Sequence, residues 1–124
     1  MERKFDLDER LIDFAASIID VSEALPQTIA GRHIGGQLVR SGTAPALHYG
    51  EAQGGESRRD FIHKMKVALK ELRETFNCLR IIKKKNWYSA VSLAVIIDEN
   101  NQLISIFVKS IETAKKNLDK DEKG

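Results

Sequence analysis

The chain has 124 residues, of which 42% are hydrophobic, and this suffices for one domain with a buried core. Its formal charge of +2 is unevenly spread: residues 57 to 87 carry ten Lys and Arg against three Asp and Glu, whereas residues 1 to 25 carry three against seven. The single cysteine, Cys78, excludes an intramolecular disulfide framework. Because the sequence has no signal-peptide pattern and no run of ~18 apolar residues, we expect a soluble, cytoplasmic protein.

The first helical pattern covers residues 6–25, where apolar residues repeat at alternating spacings of three and four. They are Leu11, Phe14, Ile18, Val21 and Leu25. Asp6 followed by Glu9 resembles a capping box, which predicts the helix start. Pro26 predicts its end, because the residue before a proline avoids α-helical geometry.

The second pattern, residues 27–52, has helical spacing, but its members are small or polar: Ile34, Leu38, Ser41, Pro45, His48 and Ala52. Pro45 is expected to bend or interrupt the helix, because proline lacks a backbone donor. A phosphate-binding glycine loop would follow a strand or carry a GK[ST] sequence, and this stretch does neither. The glycines therefore indicate close approach of a neighbouring helix, and a short loop is predicted at Gln53 to Glu56.

The third pattern covers residues 57–85 and the fourth covers residues 88–117. Asn100 occupies the centre of the fourth apolar stripe. Residues 118–124 are charged and aperiodic, which predicts a frayed tail. Four long amphipathic helices joined by short connections predict an all-α fold, a single-domain antiparallel up-and-down four-helix bundle.

Polar residues on the apolar stripes predict a cluster inside the bundle. Ser41, His48 and Asn100 lie on the stripes, and Glu51 and Glu99 flank them. One interpretation is a small-molecule or catalytic site in which His48 is the acid/base and Glu51 orients it. The favoured interpretation is a structural hydrogen-bond network that sets helix register. Because the sequence contains no Glu-x-x-His motif, we expect no metal and no cofactor.

A basic face follows the third helix. At ~100° per residue, six residues fall within an arc of about 80°: Arg59, Lys66, Lys70, Arg73, Arg80 and Lys84. The run KKKNWY at Lys83 to Tyr88 extends this face with an aromatic pair suited to stacking on an exposed base. The face predicts phosphate contacts with RNA or DNA without sequence specificity. The alternative is a solvated face, or one neutralised by the acidic first helix of the same or another subunit.

Three stretches resemble a family of small four-helix bundles first recognised as proteins encoded in intervening sequences of bacterial 23S ribosomal RNA genes. They are ALP at Ala24–Pro26, QLVRSGTAPALHYGEA at Gln37–Ala52 and ESRRDFIHKMKVALKELRET at Glu56–Thr75. The family usually has serine where this chain has Ala44, and asparagine where it has His48. Two such departures favour a structural role for the polar cluster over a catalytic one.

The resemblance implies a bundle that assembles into a ring, commonly a homopentamer, without known enzymatic activity. A related branch, the accessory proteins of diversity-generating retroelements, implies similar basic pentamers that bind nucleic acid beside a reverse transcriptase. We therefore expect a non-enzymatic, ring-forming bundle that acts as an RNA- or nucleic-acid-associated accessory protein. The alternatives are an oligomeric protein-interaction scaffold and, least favoured, a small-molecule binder or enzyme using His48 and Glu51.

Overall fold

The computed structural model describes residues 6–54 and 57–123 and contains four helices: α1 (Leu7–Glu23), α2 (Ile29–Gln53), α3 (Arg58–Lys85) and α4 (Ala90–Lys123). Each helix packs against the next one in the chain, and α4 also contacts α1 to a smaller extent. Within these two ranges no strand occurs. The all-α, antiparallel four-helix bundle predicted from the sequence is confirmed.

Side-chain caps define the beginning of α1 and α2. The Asp6 carboxylate accepts a hydrogen bond from the Glu9 backbone N–H at 3.1 Å, as the capping-box pattern predicts. Thr28 caps α2 by accepting from the Gly31 N–H at 3.0 Å. The turn between the two helices requires glycine at position 31, because a Cβ there would lie 2.0 Å from the Pro26 carbonyl oxygen.

A Schellman motif ends α3 and turns the chain into α4. Asn86 adopts the left-handed conformation, with φ 56° and ψ 39°. The Trp87 N–H donates to the Ile82 carbonyl and the Asn86 N–H to the Lys83 carbonyl, each at 3.1 Å. Ser89 then caps α4, accepting from the Ser92 N–H at 3.2 Å. These bonds satisfy backbone groups that the helix ends would otherwise leave unpaired.

The core is a continuous apolar cluster to which all four helices contribute. Its largest fully buried members include Ile18, Leu38, Leu72 and Phe107. The Ile18 side chain of α1 packs directly against the backbone of α2 at Gly42. A Cβ at this position would lie 2.6 Å from Cγ2 of Ile18, so only glycine fits. The glycines of α2 therefore serve packing at this point, as their spacing predicts.

Two features differ from the sequence-based expectation. α2 is one continuous helix through Pro45, so the interruption does not occur, and the bend that was the other expectation stays a prediction. α4 continues to Lys123 instead of fraying after Asn117, and its last turns are held to the start of α3 because Asp121 pairs with Arg58 at 2.8 Å. Gly55 and Glu56, the second half of the predicted loop, lie outside the described residues.

α4 is also long and apolar enough, by length and composition, to cross a membrane. Core helices of soluble proteins meet the same criterion, so this is weak evidence for a membrane span. Only 22% of its most apolar stretch is buried within the single chain, and Val91 and Val95 are 79% and 68% exposed. α4 therefore presents an apolar surface that its own bundle does not cover.

Candidate nucleic-acid interface

The basic face of α3 is exposed along its whole length. All six predicted residues are exposed: Arg59, Lys66, Lys70, Arg73, Arg80 and Lys84. From first to last they extend over ~37 Å of helix at ~1.5 Å per residue. The spacing that placed them on one arc therefore yields a continuous cationic surface in the folded chain.

Two of the six cations have partners. Arg59 forms an ion pair with Glu122 of α4. Arg80 donates to the Asn77 side chain at 3.2 Å and lies 5.6 Å from the centre of the Phe76 ring. In residues 6–54 and 57–123, the other four have no carboxylate within 4.0 Å: Lys66, Lys70, Arg73 and Lys84. Among the described residues, no carboxylate therefore pairs with the cations in the middle of the face.

Arg40 of α2 pairs with two acidic residues of α3. Its guanidinium lies 3.1 Å from the Glu71 carboxylate and also pairs with Glu74. Arg40 belongs to the RSG sequence of the motif that resembles the family pattern, and the structure places it as the ion-pair partner of two α3 carboxylates. Because Arg40 pairs with both carboxylates, it offsets part of their negative charge near the basic face.

The aromatic pair at the α3–α4 turn is less accessible than its position in the sequence suggests. Trp87 and Tyr88 are both half-buried and pack against the core cluster. The left-handed turn at Asn86 directs the chain back to the bundle at this point. Only part of each ring remains exposed for stacking.

Ser41 and Asn100 lie in the core, but they belong to separate contacts. The Ser41 hydroxyl oxygen is 2.8 Å from that of Thr75, and Thr75 Oγ1 is 2.9 Å from the Glu71 carbonyl oxygen. Asn100 donates to the Leu72 carbonyl at 3.2 Å. Its Oδ1 is buried and has no hydrogen-bond partner among the described residues. Sequence reasoning missed Thr75, although it lies three residues after Leu72 at helical spacing.

The remaining members of the predicted polar cluster lie nearer the surface. The His48 and Glu51 side chains are 32% and 62% exposed, and Nδ1 of His48 is 3.8 Å from Oε1 of Glu51, too far for a hydrogen bond. Glu99 pairs instead with Arg10 of α1, at 2.6 Å. The structure therefore does not bring the five predicted residues together.

The arrangement of these residues offers little for catalysis. Glu51 lies 4.0 Å from Lys64, which is eight residues, or ~12 Å along the helix, from the Leu72 carbonyl that Asn100 contacts. His48 and Glu51 consequently lie at a different level of the bundle from Asn100. In the part of the chain that the structure describes, no group of three or more His, Cys, Asp or Glu side chains is placed to hold a metal ion.

An open groove of about 800 Å³ lies beyond the beginning of α1. Its lining includes Leu7, Tyr49, Phe61 and Ile106. Burial, followed by the charges of Asp8 and Asp6, raises the pKa of Tyr49, so this phenol stays protonated at neutral pH. None of the polar residues predicted from the sequence lines this groove.

The comparisons with known proteins place the chain among small bundles of unassigned function. The profile described as 23S rRNA-intervening sequence protein matches residues 3–120. A crystal structure of a protein of unknown function from the S23 ribosomal protein family of Bacteroides thetaiotaomicron VPI-5482 superposes with a TM-score of 0.78. The two chains share 24% identity, and the alignment covers 86% of this chain and 98% of that one. No curated protein matches the sequence.

Proposed function

Because the chain belongs to the 23S rRNA-intervening sequence protein family, we propose that it is a non-enzymatic, oligomeric bundle that binds RNA or DNA through the basic face of α3. The observation that carries the proposal is the group of cations at the centre of this face, Lys66, Lys70 and Arg73, which are exposed and have no carboxylate partner among the described residues. Cations arranged along one helix suit a polyphosphate backbone, and they give affinity without base specificity.

Assembly into a ring is part of the proposal. The apolar surface of α4, with Val91 and Val95 exposed, supports it because such a surface favours contact with another subunit. The acidic α1 and the basic α3 lie in one chain, and this favours a head-to-tail contact of complementary charge. A homopentamer is the number that the family resemblance implies, and we place the assembly in the cytoplasm, beside a reverse transcriptase or another nucleic-acid enzyme.

A charge-reversal variant tests the nucleic-acid interface. In Lys66→Glu/Lys70→Glu/Arg73→Glu, we expect RNA binding to be lost while the helical circular-dichroism signal is retained, because all three side chains are exposed. The matched control is Lys109→Glu/Lys116→Glu/Lys120→Glu, which reverses three exposed lysines of α4 and changes the net charge equally. Binding of a fluorescent single-stranded RNA is measured by anisotropy, and equal binding by wild type and the α3 variant would place the interface elsewhere.

Salt dependence separates this function from its main alternative, an oligomeric protein-interaction scaffold. Several phosphate contacts predict a loss of affinity by orders of magnitude between ~50 and ~200 mM salt. A scaffold whose basic face is covered by another subunit predicts no RNA binding at either concentration. Native mass spectrometry of the same samples gives the number of subunits.

A third function, an enzyme or binder using His48 and Glu51, receives less support from the geometry, because the two side chains do not form a hydrogen bond. His48→Asn, which restores the residue usual in the family pattern, should leave folding and RNA binding unchanged. Loss of either property would show that the imidazole has a role of its own.

A further inference from the structure

A small cleft between α3 and α4 gathers cationic side chains from both helices. It has a volume of about 280 Å³ and is lined by Arg59, Ile62, His63, Lys66, Lys115 and Leu118. Lys115 belongs to α4 and therefore lies outside the basic face of α3. Ile62 is buried and Leu118 is half-buried, so the cleft combines an apolar base with exposed cations at its rim.

The acidic end of α4 lies at the same place. Glu122 forms an ion pair with Arg59, and Asp121 pairs with the neighbouring Arg58. Both helix ends carry charges that the helix dipole disfavours. The two arginines begin α3, where the dipole is positive, and the two carboxylates lie in the last turn of α4, where it is negative. Pairing across the helices offsets both unfavourable placements. As a result, Arg59, one of the cations that line the cleft, is paired with the Glu122 carboxylate.

We infer that this cleft is a phosphate-binding site for the nucleic acid. In the protein without nucleic acid, Glu122 pairs with Arg59 of the cleft in place of the phosphate. The inference rests on the proposed function and specifies where one backbone phosphate binds. Arg59 presents a planar donor fork that suits phosphate oxygens, whereas Lys66 and Lys115 supply point charges from opposite sides. Arg59 and Glu122 are 69% and 48% exposed, so solvent screens their pairing and a phosphate can replace the carboxylate.

This cleft differs from the rest of the basic face because cations of two helices line it. Lys70, Arg73 and Lys84 project from a single helix and contact a polyanion only from one side. At the cleft, by contrast, cations of α3 and α4 face the same space. A phosphate there is approached from two helices, which fixes its position. The nucleic acid would therefore be anchored at the Arg59 end of α3.

Two substitutions test the two parts of the inference on the full chain. Lys115→Glu removes a cation from the cleft without touching the α3 face, and it should weaken binding of a short fluorescent single-stranded RNA by about tenfold. One lost phosphate contact should also reduce the slope of log affinity against log salt by ~0.7 for a single strand. Glu122→Gln removes the competing charge, and it should strengthen RNA binding by a factor of about two to three.

Two control variants make the same charge changes at α4 residues outside the cleft. Lys116→Glu and Glu112→Gln alter exposed α4 residues that do not line the cleft, and both should bind RNA nearly as wild type does. Lys115→Ala repeats the test without adding a carboxylate, and circular dichroism confirms that each variant is folded. Equal effects of Lys115→Glu and Lys116→Glu would overturn the site, because they would indicate a general charge effect.

The other outcomes separate this inference from the proposed function. If the α3 triple variant loses RNA binding while Lys115→Glu and Glu122→Gln behave as wild type, the cleft is not a phosphate site and the proposed function stands. If wild type does not bind RNA even at ~50 mM salt, the proposed function fails and the cleft assignment fails with it. Tighter binding of a polyglutamate peptide than of RNA would assign the cleft to an acidic protein partner and overturn the inference.

Discussion

The hydroxyl oxygens of Ser41 and Thr75 lie 2.8 Å apart, and both residues are completely buried. This contact joins α2 to α3 in the interior of the bundle. Ser41 has one further acceptor in reach, the Leu38 carbonyl oxygen at 3.5 Å, whereas Thr75 has the Glu71 carbonyl at 2.9 Å. The pair therefore satisfies two polar groups that would otherwise be costly to bury.

Removing either hydroxyl should destabilise the protein because its partner loses a hydrogen bond in the core. We expect Ser41→Ala and Thr75→Val each to lower the free energy of unfolding by about 1 kcal/mol. The double variant should lose less unfolding free energy than the sum of the two single variants, because it leaves no buried hydroxyl without its partner. Urea unfolding at fixed protein concentration measures all three, and strict additivity would mean that the two groups do not interact.

Gly42 should tolerate no larger residue, because the Ile18 side chain occupies the space that a Cβ needs. Gly42→Ala would place its methyl group 2.6 Å from Cγ2 and 2.8 Å from Cγ1 of Ile18. We expect a loss of about 1–3 kcal/mol from overpacking. Gly50→Ala is the control, because no described residue outside the local helix backbone lies within 4 Å of its added Cβ. It should stabilise the helix by about 0.5–1 kcal/mol, and thermal unfolding of both variants compares them directly.

Asn100 should be replaceable by leucine with a gain in stability. Its Nδ2 donates to the Leu72 carbonyl at 3.2 Å, whereas its buried Oδ1 has no hydrogen-bond partner in the described part of the chain. Leucine has a similar branched shape and removes the unpaired acceptor, so Asn100→Leu should raise the unfolding free energy by about 1–3 kcal/mol. A fall in the urea midpoint would contradict this expectation. Native mass spectrometry then tests the register hypothesis, which predicts that the variant forms mixed assemblies.

Cys78 should react slowly with thiol reagents while the protein is folded. The residue is 6% exposed, and burial, followed by the charge of Glu74, raises the pKa of its thiol. Both effects keep the reactive thiolate scarce and inaccessible. Alkylation by iodoacetamide at pH 8 should therefore be more than about tenfold slower in native protein than in urea. Equal rates would show that the thiol is accessible in the fold.

The same pKa shift predicts a pH dependence of stability. A thiol whose pKa is raised by folding favours the folded state while it is protonated, and this contribution is complete below its usual pKa of about 8.5. As the pH rises above that value, the unfolded chain ionises first and the contribution is lost through the raised pKa of Cys78. Unfolding free energy should thus fall in this range. Cys78→Ala should show a weaker decline over the same pH values.

Much of the bundle follows from local patterns in the sequence. The apolar spacing of α1, from Leu11 to Val21, matches its buried stripe, and the cap at Asp6 begins the helix where predicted. These features depend on residues three or four positions apart, so periodicity and capping rules determine them. The exposure of the α3 basic face follows in the same way, because it lies opposite an apolar stripe on one helix.

Contacts between helices cannot be predicted from periodicity and capping patterns along one helix. The sequence places His48 and Asn100 on apolar stripes, but it does not state which neighbour each one meets, and the structure separates them. At the end of α4, Asp121 and Glu122 pair with Arg58 and Arg59 of α3, which lie 63 residues earlier in the chain. Such pairs form only when two helices lie side by side, and local periodicity contains no information on that placement.

The helices, their number, their polar and apolar faces and the position of the basic face can be predicted from residue spacing, because each depends on short-range periodicity along one helix. The packed bundle is needed to show that Thr75 is the partner of Ser41, that Arg40 pairs with Glu71 and Glu74, and that Lys115 lines the cleft beside Arg59. Those relationships depend on the rotation and offset of whole helices, which the packing of many core side chains sets together.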